Sequence, residues 1–367
     1  MTAEEQEETE AENDEDEPVD FLQSMLGAAD DAADEIEDHH STLNLNTNPT
    51  TSAYNSRKPR WWKTISGKPT KSQKRAMHAT SAWRLPKVSY GEFLDWDNIF
   101  PTTSAEEQHG ANNSNEIWLE IGFGNGDNLL ALAEHFPERN FVGAEVHNPG
   151  IGKVCQRLQQ ALQTNRYWNG YELFNEESAN RKSSHAEQSM ESYNKESDVN
   201  KDHIDDPETN PGANSLPLEV CSPSNSTLYS NLRIHGGDGV KLLPYIPSNS
   251  LTAVLVTFPD PFPKDNSQQF RVLQMHTLQE IHRILCPGVG RLFLATDHDG
   301  HYAWCHETVE RVNRGVGDAN KEQDQAPLFE AVEIPNRADW LPVISKYEQK
   351  GWNEGRQTHL SCWKVYH

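Results

Sequence analysis

From Glu116 onward, short apolar runs alternate with amphipathic helical stretches, and this alternation leaves the chain few architectures to choose from. Ile117 to Ile121 reads as a buried strand, Leu129 to His135 as a helix, Phe141 to Val146 as a second strand and Ile151 to Gln163 as a second helix. Leu232 to His235, Leu251 to Phe258 and Arg291 to Thr296 read as further strands. An amphipathic helix from Phe270 to Leu285 is stopped by Cys286-Pro287-Gly288, and strands near Phe329 to Ile334 and Thr358 to Val365 close the series. Strands that are apolar along most of their length need cover on both faces. The pattern predicts an α/β fold whose largely parallel sheet is sandwiched by helices, with ligands beyond the carboxyl ends of the strands.

Charge is distributed unevenly along the 367 residues, whose formal net charge is −24. Residues 1 to 40 carry 17 acids and no Lys or Arg, and residues 176 to 208 carry ten acids against four basic side chains. The remainder is close to neutral, so the acidity belongs to tails and insertions and does not argue against a nucleic-acid substrate. Residues 1 to 56 read as an acidic tail and 174 to 226 as a low-complexity insertion, both too polar to offset their ordering entropy. A second loop is expected at 315 to 327. Five widely spaced cysteines form no CxxC pair and suit a reducing compartment. The N-terminus shows neither a secretory signal nor a transit peptide, and no stretch approaches the roughly 18 apolar residues of a membrane span. The expectation is a soluble cytoplasmic or nuclear protein without membrane partners.

Two segments before the alternating region stand out. Phe21, Leu22, Met25, Leu26 and Ala29 recur at helical spacing, which suits either a docking helix or transient helicity in a charged tail; the short length favours the second. Between Arg57 and Arg75 eight Lys and Arg side chains occur without an acid and are interleaved with Trp61 and Trp62. Basic charge neutralises phosphates and indoles stack on unpaired bases, so residues 57 to 80 read as an RNA-contacting arm. A nuclear-localisation patch or a solvated linker is the plainer alternative.

Chemistry concentrates at the strand exits. Leu119-Glu120-Ile121-Gly122-Phe123-Gly124-Asn125-Gly126 leaves a strand and enters a helix, where glycines let the backbone approach a ligand and free N–H groups wait at the helix start. Glu120, just before the first glycine, would repel a pyrophosphate but suits a sulfonium ligand with an amino group. Glu145, near the end of the next strand, can accept ribose hydroxyls. A tight turn with incidental acids, or a dinucleotide site, are the competing readings. Asp238 follows the third strand within His235-Gly-Gly-Asp-Gly239, placed to meet an adenine amino group. Phe258-Pro-Asp-Pro-Phe-Pro-Lys264 follows the fourth; its three prolines stiffen the loop that carries Asp260.

Taken together, Glu120-Ile-Gly-Phe-Gly, Glu145-Val-His-Asn-Pro-Gly, Gly237-Asp238, the Asp260 motif, Thr296-Asp297 and Ser345-Lys-Tyr-Glu348 resemble the ordered motifs of the tRNA (guanine-N7)-methyltransferases. Gly67-Lys-Pro-Thr-Lys-Ser-Gln73 and Asp97-Asn-Ile-Phe100 resemble the segments that precede the first strand in those proteins. The resemblance covers roughly residues 65 to 174 and 228 to 367, and implies a methyltransferase domain over 81 to 367, interrupted by the insertion. It implies a Rossmann-like class I methyltransferase fold with an antiparallel edge strand, S-adenosylmethionine as cofactor and tRNA as partner, with the variable-loop guanine at position 46 as target. It also leaves room for a non-catalytic partner subunit, as some eukaryotic relatives require. Carried over by position, Glu120, Gly122, Gly124, Gly126, Glu145 and Asp238 would hold the cofactor, Asp260 would be catalytic, and Lys264, Asp297, Ser345 and Glu348 would face the guanosine.

Two departures qualify the resemblance. The strongly basic run usual after the Asp motif is here Lys264-Asp265-Asn266-Ser267-Gln268-Gln269-Phe270-Arg271, and Asn148 stands where an arginine is common. These departures weaken the expected phosphate grip there and shift it to the Arg57 to Arg75 arm. An RNA-binding member with lost or altered catalysis, or a methyltransferase for another RNA, is the alternative reading. His298, His301, Cys305 and His306 lie close together, but no CxxC or HExxH accompanies them and the chemistry needs no metal, so none is expected.

Overall fold

The computed structural model describes residues 67–101, 116–174, 228–315 and 327–366. The acidic tail, the part of the basic arm that contains Trp61 and Trp62, the insertion over 175–227 and most of the loop after residue 315 lie outside the described residues.

Within the described residues, seven strands form one sheet: β1 (Ile117–Ile121), β2 (Asn140–Glu145), β3 (Leu232–Gly236), β4 (Ala253–Thr257), β5 (Arg291–Thr296), β6 (Phe329–Ala331) and β7 (His359–Val365). Their order is β3-β2-β1-β4-β5-β7-β6. The first five run parallel, and β7 pairs antiparallel with both β5 and β6. The helices are α1 (Lys71–Ala79), α2 (Trp96–Ile99), α3 (Asp127–His135), α4 (Asn148–Thr164), α5 (Gly239–Leu242), α6 (Met275–Ile284), α7 (Asp299–Asn313) and α8 (Lys346–Asn353). This is the Rossmann-like class I methyltransferase architecture. No helix among the described residues is long and apolar enough to cross a membrane.

Cover on both faces explains the unbroken apolar strands. All five residues of β1 are buried, and Leu119, Val254, Leu255, Leu292 and Leu294 are at 0% exposure. Each such side chain contributes about 1.5–3 kcal/mol through its removal from water. Even the one acid of β1, Glu120, is buried with them, which makes it a costly residue to keep and points to a use.

Helix ends follow local chemistry that the apolar periodicity alone does not reveal. α1 occupies the stretch read as part of an RNA-contacting arm. Its Thr70 side chain accepts from the Gln73 backbone while the Gln73 side chain accepts from Thr70 N, a reciprocal capping box. Gln73 then donates to Pro149 O at 3.0 Å and Gln156 donates to Ser72 at 2.9 Å, so α1 lies against α4. α4 itself begins at Asn148, three residues before its first buried apolar side chain, with Pro149 in its first turn. The expected helix from Phe270 to Leu285 is shorter. Residues Asp265–Phe270 form a 3-10 turn, Arg271 is extended (φ −61°, ψ 141°), and the α-helix starts only at Met275. The cause is Arg271, whose side chain is engaged with the preceding loop. β4 is likewise shorter than Leu251 to Phe258, because Phe258 turns into the left-handed region (φ +49°) and ends the ladder.

The start of α4 packs directly on the glycine turn after β1. A Cβ on Gly150 would stand 2.3 Å from Gly124 O, a backbone atom that cannot swing aside. Gly150→Ala should therefore destabilise the protein by about 1–3 kcal/mol, read as a lower midpoint in thermal denaturation; an unchanged midpoint would show that the two segments are not in contact.

Candidate active site

In an open α/β sheet, the crevice for ligands opens where the strand order reverses, beyond the carboxyl ends. Here that point lies between β1 and β4, neighbours in space that are followed on opposite sides by β2 and β5. The acids singled out from sequence on β1 to β5 gather at this end: Glu120 one residue before the end of β1, Glu145 ending β2, Asp238 two residues after β3, Asp260 three after β4 and Asp297 one after β5. The sheet brings together residues up to 177 positions apart in the chain because parallel strands all point the same way.

Glu120 and Glu145 are held by hydrogen bonds that tie the first to β4 and α3 and close the second around the glycine turn. Thr257 Oγ1, at the end of β4, donates to Glu120 Oε1 at 2.9 Å, and Asn128 Nδ2 on α3 donates to the same oxygen at 3.3 Å. Neither Thr257 nor Asn128 was evident from the sequence. Burial outweighs these bonds and pushes the Glu120 carboxyl up to about 7. Glu145 accepts from Gly124 N and His147 N, each at 2.7 Å, and burial raises its pKa as well. Gly122, Gly124 and Gly126 all have positive φ (81°, 58° and 75°), which an L side chain seldom adopts. A Cβ on Gly122 would meet nothing within 4 Å, so that turn is open above, whereas one on Gly126 would strike Val154 at 2.2 Å. Asp238 caps α5, accepting from Val240 N at 3.0 Å.

The Asp260 loop is stiffened by more than its prolines. Phe258 and Phe262 bracket it with φ of +49° and +40°, and non-glycine residues there cost about 1–3 kcal/mol each, persisting only where surroundings enforce them. Phe258 N donates to Ala295 O at 2.7 Å on one side. On the other, Arg271 Nε donates to Pro261 O at 2.8 Å and Nη2 to Phe262 O at 3.2 Å. Arg271 is only 5% exposed; the one arginine left of the basic run points inward, away from any phosphate. Asp260 itself is exposed as a residue, yet the surrounding protein still raises its carboxyl pKa by desolvation.

The guanosine-side candidates divide into exposed and engaged. Lys264 is exposed. Asp297 retains partial exposure and accepts from Arg356 Nε at 2.9 Å. Ser345 is the N-cap of α8, accepting from Glu348 N at 3.1 Å. Glu348 is at 0% exposure, paired through both oxygens with Arg337 (2.6 and 2.7 Å) and accepting from Thr358 at 2.8 Å. Tyr347, between them, is 49% exposed, and its ring would lie 3.7 Å from a Cβ on Gly124, so it stands beside the glycine turn. Among the described residues no group of three or more His, Cys, Asp and Glu could hold a metal ion. His301 is a core residue, its pKa lowered to about 4 by burial.

S-adenosylmethionine fits these residues. Glu120 Oε2 and Asn128 Oδ1 are buried without a hydrogen-bond partner among the described residues, acceptors of the kind that an amino group satisfies, and a buried polar atom left unpaired is costly. A raised Glu120 pKa also has a consequence for stability. The unfolded chain releases this proton near the usual 4.5, while the folded protein keeps it to about 7. The folded state therefore binds more protons in between, and the ligand-free protein should lose stability as pH rises from 4.5 to 7. In denaturant titrations Glu120→Gln should flatten that slope, and a variant with the wild-type slope would rule out Glu120 as its source.

The family model described as "Putative methyltransferase" matches residues 114–176 and 214–360, more than half of the chain, and breaks inside the stretch read as an insertion. The chain is 26% identical over 291 residues to a tRNA (guanine-N7)-methyltransferase of Vibrio cholerae serotype O1, covering 79% of this chain and 84% of the relative. It is 25% identical over 313 residues to that of Vibrio vulnificus, covering 83% and 93%. With the enzyme of Hydrogenovibrio crunogenus it shares 27% identity over 238 residues, covering 65% and 67%. The chain thus belongs to the methyltransferase family that includes the tRNA (guanine-N7)-methyltransferases.

Proposed function

We propose that this protein methylates N7 of guanine in tRNA with S-adenosylmethionine as donor, at the variable-loop guanine of position 46. The observation that carries the reading is the convergence of Glu120, Glu145, Asp238, Asp260 and Asp297 on one end of the sheet around the β1/β4 switch point, together with relatives named as enzymes of this activity. Glu145 and Asp238 would hold the ribose and adenine, and Glu120 the amino group of the methionine portion. When bound, the cofactor supplies an electrophilic methyl group on a sulfonium.

What remains for the protein is placement. Guanine N7 carries a free lone pair at neutral pH, so no strong general base is needed; the base has to be held out of its stack and aligned. Asp260 and Asp297, both of which keep some exposure, would accept from guanine N1–H and the N2 amino group and favour the positive charge that appears on the methylated ring. Lys264 would meet the adjoining phosphate. Ser345 and Glu348 would act from behind, fixing the first turn of α8 and, through it, Tyr347 beside the glycine turn. Phosphate contacts would shift to the outer face of α1, where Lys71, Arg75 and His78 are exposed.

The inward turn of Arg271 and the loss of the basic run favour a second reading, in which another RNA is the substrate or a non-catalytic subunit supplies the missing grip. Incubation with labelled S-adenosylmethionine and unmodified total tRNA, followed by cleavage at N7-methylguanine, tests the proposal. Methylation at a variable-loop guanine is the expected result, and Asp260→Ala should lower kcat by about 10²–10³ with cofactor binding intact. No transfer despite cofactor binding would move the assignment to the second reading.

A further inference from the structure

We propose that Arg271 is a positioning residue for Asp260, holding its loop in the conformation methyl transfer requires, and is not a contact to nucleic acid. The inference rests on Asp260 lying at the transfer site. Its ground is the way the Phe258-to-Lys264 loop is secured. On the β4 side, Phe258 N is bound to Ala295 O of β5. On the far side, hydrogen bonds run from Arg271 to two successive carbonyls, Pro261 O and Phe262 O, the first immediately after Asp260 and the second at the left-handed Phe262. The rings of Phe262 and Phe270 meet edge to face at 5.9 Å, which brings the two arms of the hairpin-like excursion together.

The guanidinium lies 4.6 Å from the centroid of the Trp304 ring on α7, and His301 and Cys305 of the same helix are near enough to feel its charge. Among the described residues it forms no salt bridge; Asp265 is the acid that acts on it from a distance. A buried guanidinium without a carboxylate is retained only where its donors are used, and two of them are used on this loop. Arginine suits the position because its planar fork can reach adjacent carbonyls while its face rests on an indole. The same engagement keeps residues 271–274 out of the helix that begins at Met275.

Arg271→Met, Arg271→Lys and Trp304→Leu in the full chain test this. Amide hydrogen exchange at Asp260, Phe262 and Lys264 is the readout that does not depend on turnover. Arg271→Met should speed exchange there by at least tenfold and lower kcat at least tenfold, with the tRNA KM, its salt dependence and cofactor affinity within threefold of wild type. Arg271→Lys, which can still donate, should recover part of both effects; Trp304→Leu should reproduce a milder form of both, and stands in if Arg271→Met fails to fold. A raised tRNA KM with a salt dependence shallower by about one charge and unchanged kcat would make Arg271 a phosphate contact and overturn the proposal, as would a loss of kcat with loop exchange unchanged. If the wild-type protein transfers nothing to tRNA, the proposed function fails by that result alone, while the exchange measurement still reports on the loop.

Discussion

The carboxyl group of Glu120 ties the sheet together at the point where its strand order reverses. One oxygen accepts from Thr257 at the end of β4 and from Asn128 in the first turn of α3, so β1, β4 and α3 are cross-linked at the mouth of the crevice. The other oxygen is buried and has no partner among the described residues. An acid in apolar surroundings is held at a cost that hydrogen bonds only partly offset, and its elevated pKa is the sign of the balance. A ligand that brings a donor or a positive charge completes the set, so a strained group of the core is also one prepared for a cationic cofactor.

Around this point the protein uses rigid supports in place of strong catalytic groups. The glycine turn is closed from below by Glu145 and pressed by α4 at Gly150. The Asp260 loop is bracketed by two left-handed phenylalanines and clamped from behind. The start of α8 is fixed by Ser345 and by Glu348, whose partner Arg337 also donates to Leu341 O and Val343 O and lies 3.9 Å from the Phe174 ring centroid. Removing one member of such a buried pair leaves the other uncompensated, at about 3–5 kcal/mol. A nucleophile such as guanine N7 needs alignment more than activation, and an architecture made of clamps suits that demand.

Much of this was legible in the residues. Apolar runs with glycine or proline at their exits placed β1 to β5 within a residue or two, since buried parallel strands leave little freedom in composition. Ends that depend on side-chain chemistry were harder. Thr70 to Gln73 and Ser345 to Glu348 both carry the spacing of a helix cap, yet the first lies in a basic stretch and the second in a substrate-like motif, and in sequence charge and motif order outweigh cap spacing. Arg271 closes a depleted basic run, where a lone arginine after a polar stretch looks solvated in sequence, and only the return of the chain beneath the loop buries it.

The sequence by itself determined the α/β alternation, the family and the identity of the acids at the strand exits, because these follow from local periodicity and from spacing along the chain. Tertiary structure alone decided which oxygens are free and which are spent. It buried Glu348 against Arg337, left Asp260 outward, joined Thr257 and Asn128 to Glu120 and turned Arg271 inward. Those outcomes depend on pairs separated by 8 to 137 positions, and hydrogen bonding between distant residues is set by where the packed sheet brings them, which no local pattern encodes.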